Sequence, residues 1–121
     1  GVQTLVPVML THVAEGRLTL ERFVELTSAG PQRVFGMASK GRIARGYDAD
    51  FTVVDLAARK TITAEWSVSR CGWTPFEGFE AKGWPVATFV RGCMVMCDGA
   101  LLAPGRGEPV RFVETLPPMN V

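Results

Sequence analysis

The sequence is short of the residues from which most enzyme centres are assembled. It has one histidine, His12, and three cysteines, Cys71, Cys93 and Cys97. A single histidine cannot build a histidine-rich metal centre, and a sulfur-based zinc site needs paired C-x₂₋₄-C elements where this chain has one loose pair. Three cysteines are also too few for a secreted disulfide framework. On one strand Cys93 and Cys97 would stand about 13 Å apart at ~3.3 Å per residue, beyond the ~7 Å that a disulfide spans between Cα atoms. The thiols therefore read as reduced and largely buried in a cytoplasmic protein. No Gly-rich phosphate loop and no Ser/His/Asp set is present. Charge of one sign is scarce as well: the formal net charge of +1 argues against a nucleic-acid surface. Arg33, Lys40, Arg42 and Arg45 make a local basic run that reads as a solvated turn. No apolar stretch approaches the ~20 residues of a membrane span, and there is no signal-peptide pattern.

What is present divides into a helical half and a β half within 121 residues. Val2, Leu5, Val6, Met9, Leu10 and Val13 recur at helical spacing and predict one apolar helix face. Thr4 is its expected N-cap, Pro7 its third residue, and Gly16 its stop. A second helix is expected from Thr19, with Leu18 and Phe23 as a hydrophobic staple and Leu20, Phe23, Val24 and Thr27 along one face. Gly30-Pro31 should end it and open a short third helix through Val34 and Phe35, closed by Gly36. His12 lies beside the first apolar face and reads as a packed or surface residue.

Beyond Lys40 the pattern changes. Phe51 to Leu56 reads as a strand, with Lys60 to Thr63 as a shorter partner after a turn. Val86 to Arg91 is the next strand, with Pro85 at its start. Cys93 to Cys97 follows, and Asp98-Gly99 should fold Ala100 to Leu102 back onto it as a hairpin. The connection 64–83 carries Trp66, Cys71, Trp73, Phe76 and Phe79, and a loop this long is expected to be functional or packed. The tail 104–121 is rich in glycine and proline, and only Val110 to Val113 could add a strand. So few strands leave sheet edges open, which calls for a partner.

The candidate sites are weak. Asp48 and Asp50 are spaced like alternate calcium ligands, but Phe51 to Val54 supply no further oxygens. Asp48 reads better as a turn former and Asp50 as an acceptor for local backbone N–H groups. Glu77, Glu80 and Lys82 could line a pocket, and Cys71, Cys93 and Cys97 could offer soft ligands. None makes a self-sufficient centre. No catalytic, cofactor-binding or metal-binding residue is assigned from the residues alone.

Gly41-Arg42-Ile43-Ala44-Arg45-Gly46-Tyr47-Asp48-Ala49-Asp50 resembles the G-x-I-x-x-G-x-D-A-D segment of the metal-dependent amidohydrolases. Gly1-Val2-Gln3-Thr4-Leu5-Val6-Pro7 resembles the G-V-Q-T-x-x-P lead into the last barrel helix of dihydroorotases and related cyclic amidases. Thr74-Pro75-Phe76-Glu77-Gly78 and Lys82-Gly83-Trp84-Pro85-Val86-Ala87-Thr88 resemble the T-P-F-x-G and K-G-x-P-V-A-T segments of the same group. The resemblance implies an α+β fragment. Residues 1–39 would be the last helices of a (β/α)8 barrel, and residues 40–121 strands of a small β-sandwich. It also implies a longer polypeptide, in keeping with a chain that starts at Gly1 without methionine. The parent would be a zinc-dependent dihydroorotase of pyrimidine biosynthesis interconverting dihydroorotate and N-carbamoyl-aspartate. All of the family's metal ligands and its catalytic aspartate would precede Gly1. This segment would then be structural and bind no metal itself. The implied partners are the N-terminal barrel part of the same protein, further copies in a homo-oligomer, and aspartate carbamoyltransferase. Allantoinase, hydantoinase or a non-catalytic dihydroorotase-like scaffold subunit are the alternative parents.

Overall fold

The computed structural model describes residues 1–102 and 107–115. The order is α1 (Leu5–Ala14), α2 (Leu20–Val24), a π-helical turn (Glu25–Ala29), α3 (Gly30–Phe35), β1 (Phe51–Thr61), β2 (Glu80–Val90), β3 (Cys93–Cys97) and β4 (Ala100–Leu101), with a 3₁₀ turn at Val113–Thr115. The four strands form one antiparallel sheet in the order β1-β2-β3-β4. The architecture is therefore α+β, with α1 laid against β2.

The helices form for the reasons their sequence offers, with three departures. Thr4 occupies the N-cap position of α1, but its hydroxyl donates to Gly1 O at 3.2 Å instead of capping an N–H. The buried side of α1 is Thr4, Pro7, Leu10 and Thr11, whereas Val2 and Leu5 are exposed. The face against the sheet is thus turned from the expected apolar stripe. Thr11 is buried there because its hydroxyl has partners on both sides.

Thr19 caps α2 as expected, accepting from Arg22 N at 3.1 Å. Gly30-Pro31 does not break the helix. The chain widens into the π turn, in which Gly30 N bonds Glu25 O, and continues as α3 to the left-handed Gly36. Proline has no N–H to give to the preceding turn and its ring needs room, and the wider turn provides both. Gly30 fits because a Cβ there would lie 2.6 Å from Glu25 O.

In the sheet, the two expected segments at 51–56 and 60–63 are not partners. Residues 51–61 form one strand, and both of its ends pair with β2. The interruption between Asp55 and Arg59 is a bulge, held by Asp55 Oδ1 accepting from Ala57 N at 2.8 Å. A bulge of this kind reads as a turn from sequence because it uses the same Asx chemistry. Pro85 lies within β2 and not at its start, opposite Val54 at a register shift, the kind of irregularity to which proline in a sheet is confined. The Asp98-Gly99 hairpin is as expected, with Cys97 opposite Ala100 and Met96 opposite Leu101.

The core is Ile62, Ala81 and Trp84, with Val8, Ala58, Trp66, Phe76 and Phe79 packed around it. Trp66 and Trp84 lie 4.7 Å apart between ring centroids, and Phe76 meets Phe79 edge-on. Three of the four aromatic side chains of the connection are therefore packed on their own chain, and Trp73 stays largely exposed. Thr74 is buried and accepts from Phe76 N, while Gly78 N and Ile62 N close the loop on Ile62 O and Phe79 O, at 2.9 Å each. Of the tail, Phe112 bridges to Met37, and Arg111 O and Val113 N bond residues 38 and 36. The rest of the expected segment forms no strand among the described residues.

Candidate functional site

The most concentrated polar chemistry lies where the helical half crosses into the sheet. Lys40 Nζ contacts Asp48 Oδ2 at 2.8 Å and also bonds Asp50 Oδ2. Asp48 Oδ1 receives Arg91 Nη1 at 3.1 Å, and Arg91 Nε reaches Glu108 Oε1 at 3.3 Å. Asp50 Oδ1 accepts from Arg91 N at 2.8 Å, and Ala49 O accepts from Gly92 N at 2.9 Å. Asp50 does not serve local N–H groups, as expected from sequence, but one 41 residues away. Asp48 is not in the turn, which falls at Arg45-Gly46; its N–H bonds Ser39 O, and its carboxylate carries two ion pairs. The Lys40 ammonium beside them holds both carboxyls below their ordinary value, and the two carboxylates push the Lys40 pKa up. The reading of Lys40 as part of a solvated basic run is thus overturned. Arg33 pairs with Glu25, while Arg42 and Arg45 are exposed.

The network is saturated: each carboxylate meets a cation, so neither is poised as an acid or base. Arg91 sits at φ +50° and Gly92 at +78°, the two central residues of a tight turn between β2 and β3. An arginine in the left-handed region is strained, and its three long-range contacts oppose that strain. Sequence reasoning missed Lys40 and Arg91. The Arg-Gly pair between two apolar runs was the available sign of a two-residue turn.

A second set of contacts joins α1 to the β half. Thr11 Oγ1 accepts from Lys82 N at 2.9 Å while donating to Pro7 O at 2.8 Å. Lys82 Nζ lies 3.3 Å from Glu15 Oε1. Glu80 and Lys82 share an open depression with Glu15, Arg59 and Lys60, and Glu77 is not part of it. Gln3 donates from Nε2 to Trp66 O at 2.9 Å and accepts from Val68 N at 3.0 Å through Oε1. Gln3 belongs to a motif legible in the sequence, but neither its contacts nor Thr11 could be read there, because the partners are more than 60 residues away.

The third feature is a groove of about 980 Å³ between the helices and the β1–β2 end of the sheet. Leu5, Leu10, Phe23, Val53 and Phe89 line it, and Lys40, Asp48 and Asp50 stand at its polar edge.

Among the described residues, the cysteines and His12 do not converge on a common site. Cys71 is exposed, and its thiol pKa is lowered by the Ser69 hydroxyl 3.0 Å away. Cys93 and Cys97 are half-buried on β3, so the expectation of largely buried thiols fails at Cys71. The His12 ring lies 3.4 Å from the Arg17 guanidinium. Among the described residues no three His, Cys, Asp or Glu side chains gather as a metal site would require. The donor set of the described residues therefore does not fit the zinc that the family resemblance implies. No helix among the described residues is long and apolar enough to cross a membrane.

Residues 2–95 match the model of the amidohydrolase family. The chain belongs to that family. Its similarity to curated amidohydrolases is substantial. It is 45% identical over 102 residues to the dihydroorotase of Methanothermobacter thermautotrophicus, covering 84% of this chain and 24% of that protein. With the dihydroorotase of Pyrococcus furiosus it shares 39% identity over 110 residues, 91% of this chain and 26% of that one. Among solved structures, the L-hydantoinase (dihydropyrimidinase) of Arthrobacter aurescens superposes with a TM-score of 0.77 at 39% identity, over 81% of this chain and 22% of that one. The chain thus spans about a quarter of the length of these relatives.

Proposed function

We propose that this chain is the C-terminal segment of a dihydroorotase-type cyclic amidohydrolase and that it completes the fold of the catalytic part without carrying catalytic groups. The observation that carries this reading is the apolar groove of about 980 Å³ in a chain a quarter the length of its relatives. Leu5, Val24, Ile43 and Val53 stand exposed along it, and contiguous exposed apolar side chains of this kind mark an interaction surface. The covering part is the N-terminal barrel, and α1 to α3 are the helices that close it. Zinc held by that barrel would lower the pKa of its bound water and so supply the hydroxide for reversible cyclic amide hydrolysis. The role of this chain's residues is to seat the barrel. The Lys40–Asp48–Asp50–Arg91 network sets the crossing between helices and sheet, and Thr11 fixes α1 on β2.

A hydantoinase parent is the second reading, supported by the likeness to the Arthrobacter enzyme. The Lys82-Gly83-Trp84-Pro85-Val86-Ala87-Thr88 segment and the 45% identity to a dihydroorotase favour the first.

The test is to co-express this chain with the Methanothermobacter dihydroorotase truncated of its own C-terminal quarter. The expected result is a zinc-containing complex that hydrolyses dihydroorotate, while the isolated chain holds no stoichiometric zinc and has no activity. Hydrolysis of hydantoins alone would select the second reading. One zinc per isolated chain would overturn the division of labour.

A further inference from the structure

Gln3 makes two hydrogen bonds of one kind with one segment. Its carboxamide gives an N–H to Trp66 O and takes the N–H of Val68. A side-chain amide thus pairs with a short stretch of main chain as a neighbouring strand would, its NH₂ donating one bond and its carbonyl oxygen accepting the other. The segment it holds opens the connection 62–79. Trp66 from that segment is packed on Trp84 in the core, whereas Val68, Arg70 and Trp73 just beyond are exposed. On the other side Gln3 lies two residues before α1, whose own position is set by Thr11 on Lys82. A bidentate contact spanning 63 and 65 residues therefore makes the lead into α1 and the start of the aromatic connection one unit.

We infer that Gln3 is a positioning residue, holding the 66–68 segment against the N-terminal end of α1 at the rim where the barrel's chemistry takes place. The placement at the rim rests on the reading of α1 as a barrel helix. In such barrels the loop that leads into each helix lies on the catalytic face. The coupling itself rests on the two hydrogen bonds alone. Gln3 touches no reacting atom; it acts through the backbone it holds, setting how the exposed residues after Val68 stand beside that rim.

Two measurements separate the coupling from the placement. Amide exchange on this chain compares wild type with Gln3→Leu and Gln3→Glu. Gln3→Leu should speed exchange at Val68 about tenfold and leave Lys82, bonded to Thr11, unchanged. Gln3→Glu keeps the acceptor and should retain Val68 protection. Unchanged Val68 exchange in Gln3→Leu would overturn the coupling, whatever the parent enzyme does. Equal acceleration at Val68 and Lys82 would show general loosening and overturn it too. The second measurement takes the reconstituted complex. There Gln3→Leu should lower kcat about tenfold or more with zinc content and KM near wild type. An unaffected kcat alongside lost Val68 protection would overturn the placement at the rim. An inactive wild-type complex would count against the cyclic-amidohydrolase reading, and with it the rim, while leaving the coupling to the exchange data.

Discussion

At Gly83 the backbone runs at φ +100°, and a Cβ there would stand 2.8 Å from the Cβ of Leu10. The Leu10 Cβ is fixed to the α1 backbone and cannot swing away as the end of a flexible side chain would. Gly83 therefore sets how closely α1 approaches β2. Gly83→Ala should destabilise the chain by about 2–4 kcal/mol, combining overpacking with a disfavoured backbone region, read from the urea midpoint. The charged network makes a prediction of a different kind. Asp48 and Asp50 have pKa values lowered in the fold from 3.8, first by hydrogen bonding to Lys40. Their stabilisation is therefore complete above 3.8 and is lost as pH falls through the lowered values. Lys40 is raised above 10.5 by the same bonds, so its share is present below 10.5 and is lost only as pH rises through that raised value. The Asp48→Asn/Asp50→Asn double variant should be less stable than wild type at pH 7 and approach it at pH 2–3. An equal gap at both pH values would mean that ionisation is not what the network contributes.

Among the elements, the junction of α1 with β2 depends on one hydroxyl. Thr11 is 3% exposed and is the acceptor for Lys82 N. Thr11→Val keeps the shape but strands that N–H, at a cost of about 1–3 kcal/mol, whereas Thr11→Ser should retain most of the stability; equilibrium denaturation distinguishes them. The elements themselves were readable to the extent that their causes are local. Thr19 as a cap, Gly36 as a left-handed stop, and Asp98-Gly99 as a turn each act within four residues. The joining of residues 51–61 into one strand was not readable, because an Asx bulge and an Asx turn use the same residues and only pairing with β2 tells them apart. Nor was the π turn, since Gly30-Pro31 ends most helices and survives here only because the preceding turn widens.

For the molecule as a whole, the unusual property is how much apolar surface faces the groove. Val53 is 46% exposed there. Val53→Glu should leave the isolated chain's stability within about 0.5 kcal/mol, as surface substitutions do, yet prevent assembly with the barrel part in the co-expression experiment. Retained assembly would place the covered face elsewhere. The sequence by itself determined the helical and β halves, the Thr19 cap, the Gly36 stop, the Asp98-Gly99 turn and the family, since these rest on short-range chemistry and contiguous motifs. Only the tertiary structure decided which side of α1 is buried. It also showed that Asp48 and Asp50 are bound to Lys40 and Arg91, and that Gln3 and Thr11 join the two halves. The partners of Arg91, Gln3 and Thr11 among these lie 41 to 71 residues away, and contacts at that range exist only once packing has brought the segments together.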